Sequence, residues 1–108
     1  MKEIRAVIRP GKLAKLRDAL RDVPGFPGMT VTRVEGFGRS GGQPDVRHAL
    51  SDYTEKVRLE IVCADELADP IVDCIVRSAS TGQIGDGLVW VTPVERAVFV
   101  NKTVGGPG

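Results

Sequence analysis

The segment 56–63 alternates apolar side chains with charged ones over most of its length. Its apolar members are Val57, Leu59, Ile61 and Cys63, and its charged members are Lys56, Arg58 and Glu60. Successive side chains of a strand point to opposite faces, so this alternation predicts a strand with one buried face. Whatever fold the chain adopts must therefore place a hydrophobic layer against one side of this strand.

Four other segments have the composition of extended chain. Residues 2–7 alternate, residues 29–37 are rich in Val and Thr, and residues 88–91 are a short apolar run. These features predict strands before and after the one at 56–63. After Pro93, residues 94–100 suggest a short fifth extended piece.

Two segments repeat apolar residues at the spacing of a helix. The first contains Leu13, Leu16, Leu20 and Val23, and it ends at the turn-forming stretch 24–28. The second contains Leu67, Ile71, Cys74, Ile75 and Ser78. Either Asp65 or Asp69 can cap this second helix. Pro70 would be its first residue after an Asp69 cap, or would lie in the first turn of a longer helix.

The order of these elements is β-α-β-β-α-β. If each βαβ half crosses over with right-handed geometry, the result is a ferredoxin-like α+β fold. It has a four-stranded antiparallel sheet with two helices on one face. The other face needs a cover, which a chain of 108 residues can obtain by self-association. We therefore expect a single domain over 1–108 that forms a homo-oligomer, with a flexible tail at 101–108.

Composition and charge exclude several function classes. The net charge is +1, so no global field attracts nucleic acid or a membrane surface. No apolar run approaches the roughly 20 residues of a membrane span, and the N-terminus does not resemble an export signal. We therefore expect a cytoplasmic protein whose Cys63 and Cys74 are reduced and buried. Two cysteines and one histidine fall short of a zinc site, so no metal is predicted.

A glycine-rich stretch separates the second helix from the fourth strand. It spans Thr81–Gly87 and contains three glycines and one aspartate. Such a stretch can turn tightly and bring several backbone amides close to an anion. The alternative is a turn that only links helix to strand.

The connection between the second and third strands is longer than a hairpin requires. It spans about residues 39–55, and its first part is polar and rich in glycine. Long loops without structure of their own are usually functional or disordered. The connection is therefore either an arm that docks on a partner or an idle insertion. Arg39 at its root offers a planar donor fork for phosphate or carboxylate.

Together these features resemble the PII signal-transduction family, trimeric nucleotide-binding regulators of nitrogen metabolism. The resemblance extends over about residues 1–100. The segments that carry it are 1–10, 28–32, 36–39, 56–62 and 81–87. The last of these matches the family's B-loop, and the long connection corresponds to its T-loop.

The resemblance implies a homotrimer that binds an adenine nucleotide in the cleft between neighbouring subunits. The residues implied near the adenine are Val7, Thr30, Gly36 and Val62, with Lys56 and Glu60 lining the cleft. The alternative for the last two is a solvated cross-strand pair. At the root of the T-loop the implied residues are Phe37, Gly38 and Arg39, and the amides implied to face phosphate are those of Gly85, Asp86 and Gly87.

Three cations typical of the family are missing from this chain. Typical members have a lysine where this chain has Leu88, and two arginines where it has Phe99 and Asn101, although Lys102 is adjacent. Each charge-assisted phosphate contact contributes about 1.5–3 kcal/mol, and the terminal phosphates of a triphosphate depend on them most. We therefore expect ADP or AMP to be favoured over ATP. The sequence leaves open whether Mg²⁺ takes part.

The resemblance implies a regulator, not an enzyme, that controls a membrane transporter or a metabolic enzyme through residues 39–55. Many family members carry a modified tyrosine in this loop, but the corresponding region here, 45–50, has none, and the only tyrosine, Tyr53, aligns nearer the third strand. Tyrosine modification is therefore not expected. An alternative is a divergent PII-like regulator of inorganic ion transport, such as heavy-metal efflux or bicarbonate uptake. In that case His48, Asp45 and Asp52 could touch a metal.

Two further readings are an acylphosphatase-like enzyme and a purely structural trimer. The former would need a phosphate cradle at residues 9–11. The protein partner and any metabolite co-ligand cannot be read from the sequence.

Overall fold

A computed structural model describes residues 1–38 and 53–101 of the chain. A short 3-10 turn, Pro10–Lys12, precedes the first helix. The strands are β1 Lys2–Ile8, β2 Thr30–Gly36, β3 Thr54–Cys63 and β4 Gly87–Pro93, and the helices are α1 Leu13–Arg21 and α2 Asp65–Ala79. The order β-α-β-β-α-β is therefore the predicted one. No helix in these ranges is both long enough and apolar enough to cross a membrane.

The four strands form one sheet in the order β2-β3-β1-β4, and every neighbouring pair is antiparallel. β1 is a central strand that pairs with β3 on one side and β4 on the other. Ile8, the last residue of β1, lies opposite Val57 of β3 and Gly87 of β4. This register brings the start of β3 and the end of the glycine-rich stretch to the same end of the sheet.

One face of the sheet carries the core. The predicted inward residues of β3 are all buried, together with Ile4, Ala6 and Ile8 of β1. Leu16 and Leu20 of α1 and Ile71 and Ile75 of α2 belong to the same buried cluster. Both helices therefore cover this face, as the ferredoxin-like prediction requires. Cys63 and Cys74 are buried and unbridged, as expected.

The opposite face, which we call the open face, has no cover among the described residues. Its side chains alternate with those of the core and include Arg5, Arg58, Glu60, Val62 and Trp90. Val62 is 37% exposed, and Leu88, on the same face of β4, is 66% exposed. This side of the sheet therefore exposes apolar side chains in the single chain, as the sequence predicted.

The second helix is the longer of the two forms that the sequence allowed. It begins at Asp65 and contains Pro70, while Ala64 is the N-cap residue and supplies no side-chain cap. Neither Asp65 nor Asp69 is the cap, and Asp65 instead pairs with the Met1 amino group at 2.9 Å. An internal proline costs a helix about 3 kcal/mol. Burial of the helix's apolar face offsets this cost.

The predicted fifth extended piece does not form a strand. The Val94 amide donates to the carbonyl of Met1, the residue before β1, at 3.0 Å. Val98, Phe99 and Val100 beyond it are exposed. The sheet therefore has the four strands that were predicted, and the extended piece suggested at 94–100 is not a fifth strand. The predicted tail lies almost entirely outside the described residues.

Candidate functional site

A cavity of about 270 Å³ opens at the end of the sheet where β1 finishes and β2 leads into the long connection. Four parts of the chain meet there: the ends of β1 and β2, the start of β3, and the glycine-rich stretch. The lining residues are Val7, Arg9, Gly36, Phe37, Gly38, Thr54, Lys56, Ile84, Gly85 and Gly87.

Seven of the residues predicted from the resemblance line this cavity, although they are distant in sequence. They are Val7, Gly36, Phe37, Gly38, Lys56, Gly85 and Gly87. Arg9, Thr54 and Ile84 line it as well and were not among the predicted site residues. Arg9 directly follows β1, whose last residue pairs with Gly87. Knowing how β1 pairs with β4 would therefore have placed Arg9 beside the glycine-rich stretch, but this pairing cannot be read from the sequence.

Three predicted residues lie outside the cavity, farther along the open face. Thr30 and Glu60 are cross-strand partners, and Val62 lies opposite Glu3. Lys56 and Glu60 are four residues apart on β3, which is about 13 Å along a strand. The chain therefore brings the predicted residues together as two groups rather than one.

Glu60 takes part in a charged network on the open face. It lies 3.4 Å from Arg58 and 3.8 Å from Arg5, which also pairs with Glu3 at 3.1 Å. The alternative of a Lys56–Glu60 cross-strand pair was wrong, because both residues belong to β3. The Nε of Arg58 is buried and has no hydrogen-bond partner among the described residues, despite its proximity to Glu60.

Asp86 is described and lies in the glycine-rich stretch without lining this cavity, and the other predicted positions fall in the part of the chain that is not described. Arg39 and most of the predicted loop 39–55 lie there, as do His48, Asp45 and Asp52. Within residues 1–38 and 53–101, no group of three or more His, Cys, Asp or Glu side chains is placed to hold a metal ion.

The glycine-rich stretch Thr81–Gly87, hereafter the glycine loop, is organised by the carboxylate of Asp86. One carboxylate oxygen, Oδ2, accepts from the amides of Thr81, Gly82 and Gln83 at 2.7, 3.0 and 3.2 Å. The other oxygen, Oδ1, accepts from the Thr81 hydroxyl and from Arg9 Nε, the latter at 3.3 Å. These contacts lower the pKa of Asp86 well below its usual value, chiefly through the bonds from Thr81.

The loop also offers carbonyl oxygens to two cations of the cavity wall. Arg9 Nη2 donates to the Ile84 carbonyl at 3.2 Å, and Lys56 Nζ donates to the Gly85 carbonyl at 2.6 Å. Burial lowers the pKa of Lys56, and the nearby charge of Arg9 lowers it further. Two positive side chains of the cavity wall thus bind consecutive carbonyl oxygens of the loop.

The three amides predicted to face phosphate differ in their availability. The Asp86 amide donates to the Gln83 carbonyl at 3.3 Å and is already engaged. The Gly87 amide belongs to the first residue of β4, which lies opposite Ile8 of β1. The Gly85 amide makes no hydrogen bond to any other described residue. The amides of Thr81, Gly82 and Gln83 are satisfied by Asp86, so the loop partly fills its own anion-binding concavity.

Three glycines of the loop have positive φ angles: 81° at Gly82, 101° at Gly85 and 122° at Gly87. At Gly87 a second constraint is added, since a Cβ there would overlap the carbonyl oxygen of Val7. Glycine is therefore required at this position both by conformation and by the close approach of β1.

Comparison with known proteins places this arrangement in a family. The model of the family "Nitrogen regulatory protein P-II" matches residues 1–103 of the chain. The chain belongs to the PII family. PII proteins are signal-transduction regulators, and the chain is accordingly a regulator and not an enzyme.

Individual PII relatives are similar over nearly the whole chain. The "Nitrogen regulatory protein P-II" of Haemophilus influenzae is 45% identical over 103 residues, covering 93% of this chain and 91% of the relative. The proteins of Klebsiella oxytoca and Escherichia coli K12, the latter named "Nitrogen regulatory protein P-II 1", are each 46% identical over the same shares. These names give no support to the alternative of a regulator of inorganic ion transport.

The requirement for glycine at position 87 can be tested by three alanine substitutions. Gly87→Ala adds both strain and overlap, so it should lower the free energy of unfolding by about 2 kcal/mol or more. Gly82→Ala adds strain alone, for about 1 kcal/mol. Gly11→Ala adds neither and should stay within about 0.5 kcal/mol of the parent. Urea denaturation would measure all three, and equal losses at 87 and 82 would contradict the predicted overlap.

The role of Asp86 predicts a specific dependence on pH. Its pKa is lowered in the folded chain, so its carboxylate stabilises the fold above the ordinary aspartate pKa of about 3.9, and this contribution fades as pH falls below it. Asp86→Asn should therefore lower the Tm by a constant amount from about pH 8 to pH 5, and by less in more acidic solution. Asp18→Asn, at an exposed carboxylate of α1, is the control and should have a smaller effect. A difference in Tm that grows toward low pH would contradict the assignment.

Proposed function

We propose that this PII protein senses adenine nucleotides and passes their binding state to a membrane transporter or metabolic enzyme through the connection 39–55. The observation that carries the proposal is the cavity at the end of the sheet. There the root of that connection and the glycine loop share one wall with two converging cations. A ligand bound there would touch both the loop suited to phosphate and the segment suited to a partner.

The chemistry of the cavity suits a phosphorylated ligand. Arg9 and Lys56 supply positive charge, and the Gly85 amide is a donor that no described residue occupies. Fixed donors of this kind bind phosphate oxygens through charge-assisted hydrogen bonds. The side chains of Val7 and Phe37 offer apolar surface for a base.

The second group of predicted residues supports a site shared between copies of the chain. Thr30, Glu60 and Val62 lie on the open face, outside the cavity of their own chain. In a homotrimer whose open faces meet, a neighbouring copy could present these residues to the nucleotide. The same contact would cover Val62, which is 37% exposed in the single chain.

The cavity has little positive charge free to bind phosphate, which favours a ligand with one or two phosphates over a triphosphate. Leu88 lies opposite Val7 on the same face of the sheet, so an exposed apolar side chain stands beside the cavity wall. Phe99 is also exposed. The two cations that do line the cavity are partly committed to oxygen atoms of the glycine loop. We therefore propose ADP or AMP as the favoured ligand.

The root of the connection offers a physical path for signalling. Phe37 lines the cavity, and its ring centroid lies 5.6 Å from that of Tyr53 at an interplanar angle of 46°. These residues flank the undescribed segment 39–52, and Gly36 pairs with Thr54 directly below them. If a nucleotide binds one arrangement of this ring pair more tightly than another, it would change which conformations of the connection 39–55 are populated.

The nucleotide preference can be tested by calorimetry and thermal shift with AMP, ADP and ATP, each with and without Mg²⁺. AMP and ADP should bind at least as tightly as ATP, and binding should raise the Tm. Leu88→Lys places a cation beside Val7 and should improve ATP over AMP by about threefold to tenfold. Leu88→Met is the neutral control. Micromolar ATP binding by the parent without AMP binding would contradict the preference.

The shared site requires assembly of the chain. Sedimentation at micromolar concentration should give a particle of three times the 11.6 kDa chain mass. Val62→Lys adds a charge to the open face and should weaken the assembly, whereas Val76→Lys, on an exposed position of α2, should not. A monomeric parent protein would remove the basis for a shared nucleotide site.

A further inference from the structure

We propose that Arg9 is a positioning residue for the glycine loop, acting through Asp86 and the Ile84 carbonyl to fix the direction of the Gly85 amide. The inference rests on the proposed function for its effect on ligand binding. Its effect on the loop can be measured without a ligand.

Arg9 is well placed to hold the loop because it leaves the sheet directly after β1. Its Nε donates to Asp86 Oδ1 at 3.3 Å, and its Nη2 donates to the Ile84 carbonyl at 3.2 Å. One planar guanidinium thus reaches a carboxylate and a carbonyl of the same loop. Lysine carries the same charge but has no fork with which to bind both acceptors in a fixed geometry.

Through Asp86, the contact with Arg9 also constrains the first half of the loop. Its other contacts gather the amides of Thr81, Gly82 and Gln83 around one oxygen. Within the described residues, Arg9 is the side chain that ties this carboxylate to the sheet. Without Arg9, the carboxylate and its three amides could move together as a local unit.

The contact of Arg9 with the Ile84 carbonyl sets the direction of the Gly85 N–H. In a planar trans peptide, the C=O and the following N–H point in opposite directions. When Arg9 holds the Ile84 carbonyl, the Gly85 N–H is fixed on the other side of that peptide. Gly85 has a φ of 101° and no Cβ, so its own conformational preferences would not fix this orientation.

A competing explanation is that Arg9 acts only by direct contact with a ligand phosphate, since it also lines the cavity. The two roles differ in how the losses of Arg9 and of the Asp86 carboxylate combine. If Arg9 works through the loop, both losses weaken binding by breaking the same connection, so together they should cost little more than one alone. If it works only by direct contact, the two losses act separately and their effects on affinity should add.

The first experiment measures amide hydrogen exchange by NMR in the ligand-free protein. Arg9→Lys should speed exchange at Gly82 and Gln83 by about threefold or more, because local opening of the loop becomes easier. Arg17→Lys is the matched control, since Arg17 Nε contacts Asp18 at the same 3.3 Å on the surface of α1. Amides of β1 and β3 report whether each variant is folded. Equal exchange in the two variants would overturn the proposal.

The second experiment is a double-mutant cycle on ADP affinity by calorimetry. Arg9→Lys and Asp86→Asn should each weaken ADP binding by about threefold to tenfold. The double variant should bind within about twofold of the weaker single variant, because both changes break one connection. Additive losses, or unchanged or tighter binding in Asp86→Asn, would overturn the proposal.

The two experiments separate the inference from the proposed function. If the parent protein binds no adenine nucleotide, the proposed function fails, and the exchange measurement alone decides the role of Arg9. If ADP binds but the cycle is additive, the proposed function stands and Arg9 is not a positioning residue.

Discussion

The pairing of β1 with both of its neighbours is the constraint on which the site depends. Its last rung places Ile8 opposite Val57 on one side and Gly87 on the other. That rung brings the start of β3 and the glycine loop to the same end of the sheet, and the chain continues from it into Arg9. A shift of one residue would exchange core and open faces along β1 and move the cations away from the loop.

Much of the fold was predictable because it follows from local periodicity. The alternation around Leu59 and the helical spacing around Leu16 and Ile71 each report a single buried face, which a reader can identify from the sequence. Pro70 could not be decided in this way, because the burial that stabilises its helix comes from the rest of the core. The segment 94–100 has the composition of extended chain but is not a strand, because extended chain becomes a strand only beside a partner.

The candidate site was predictable to a different extent. Glycines such as Gly85 and Gly87 stand out in the sequence, and the family resemblance supplied most of the cavity wall. Arg9 was missed as a site residue because its role depends on a contact with Asp86, which is 77 residues away. Asp86 itself was predicted as an amide donor, whereas its carboxylate is the main organiser of the loop.

The position of the chain's single tryptophan has a practical consequence. Trp90 lies opposite Arg5 on the open face, away from the cavity. Its indole therefore lies on the surface where copies of the chain would meet. Intrinsic fluorescence of this protein should respond to assembly and dissociation of the subunits, and it offers an optical signal that requires no added dye.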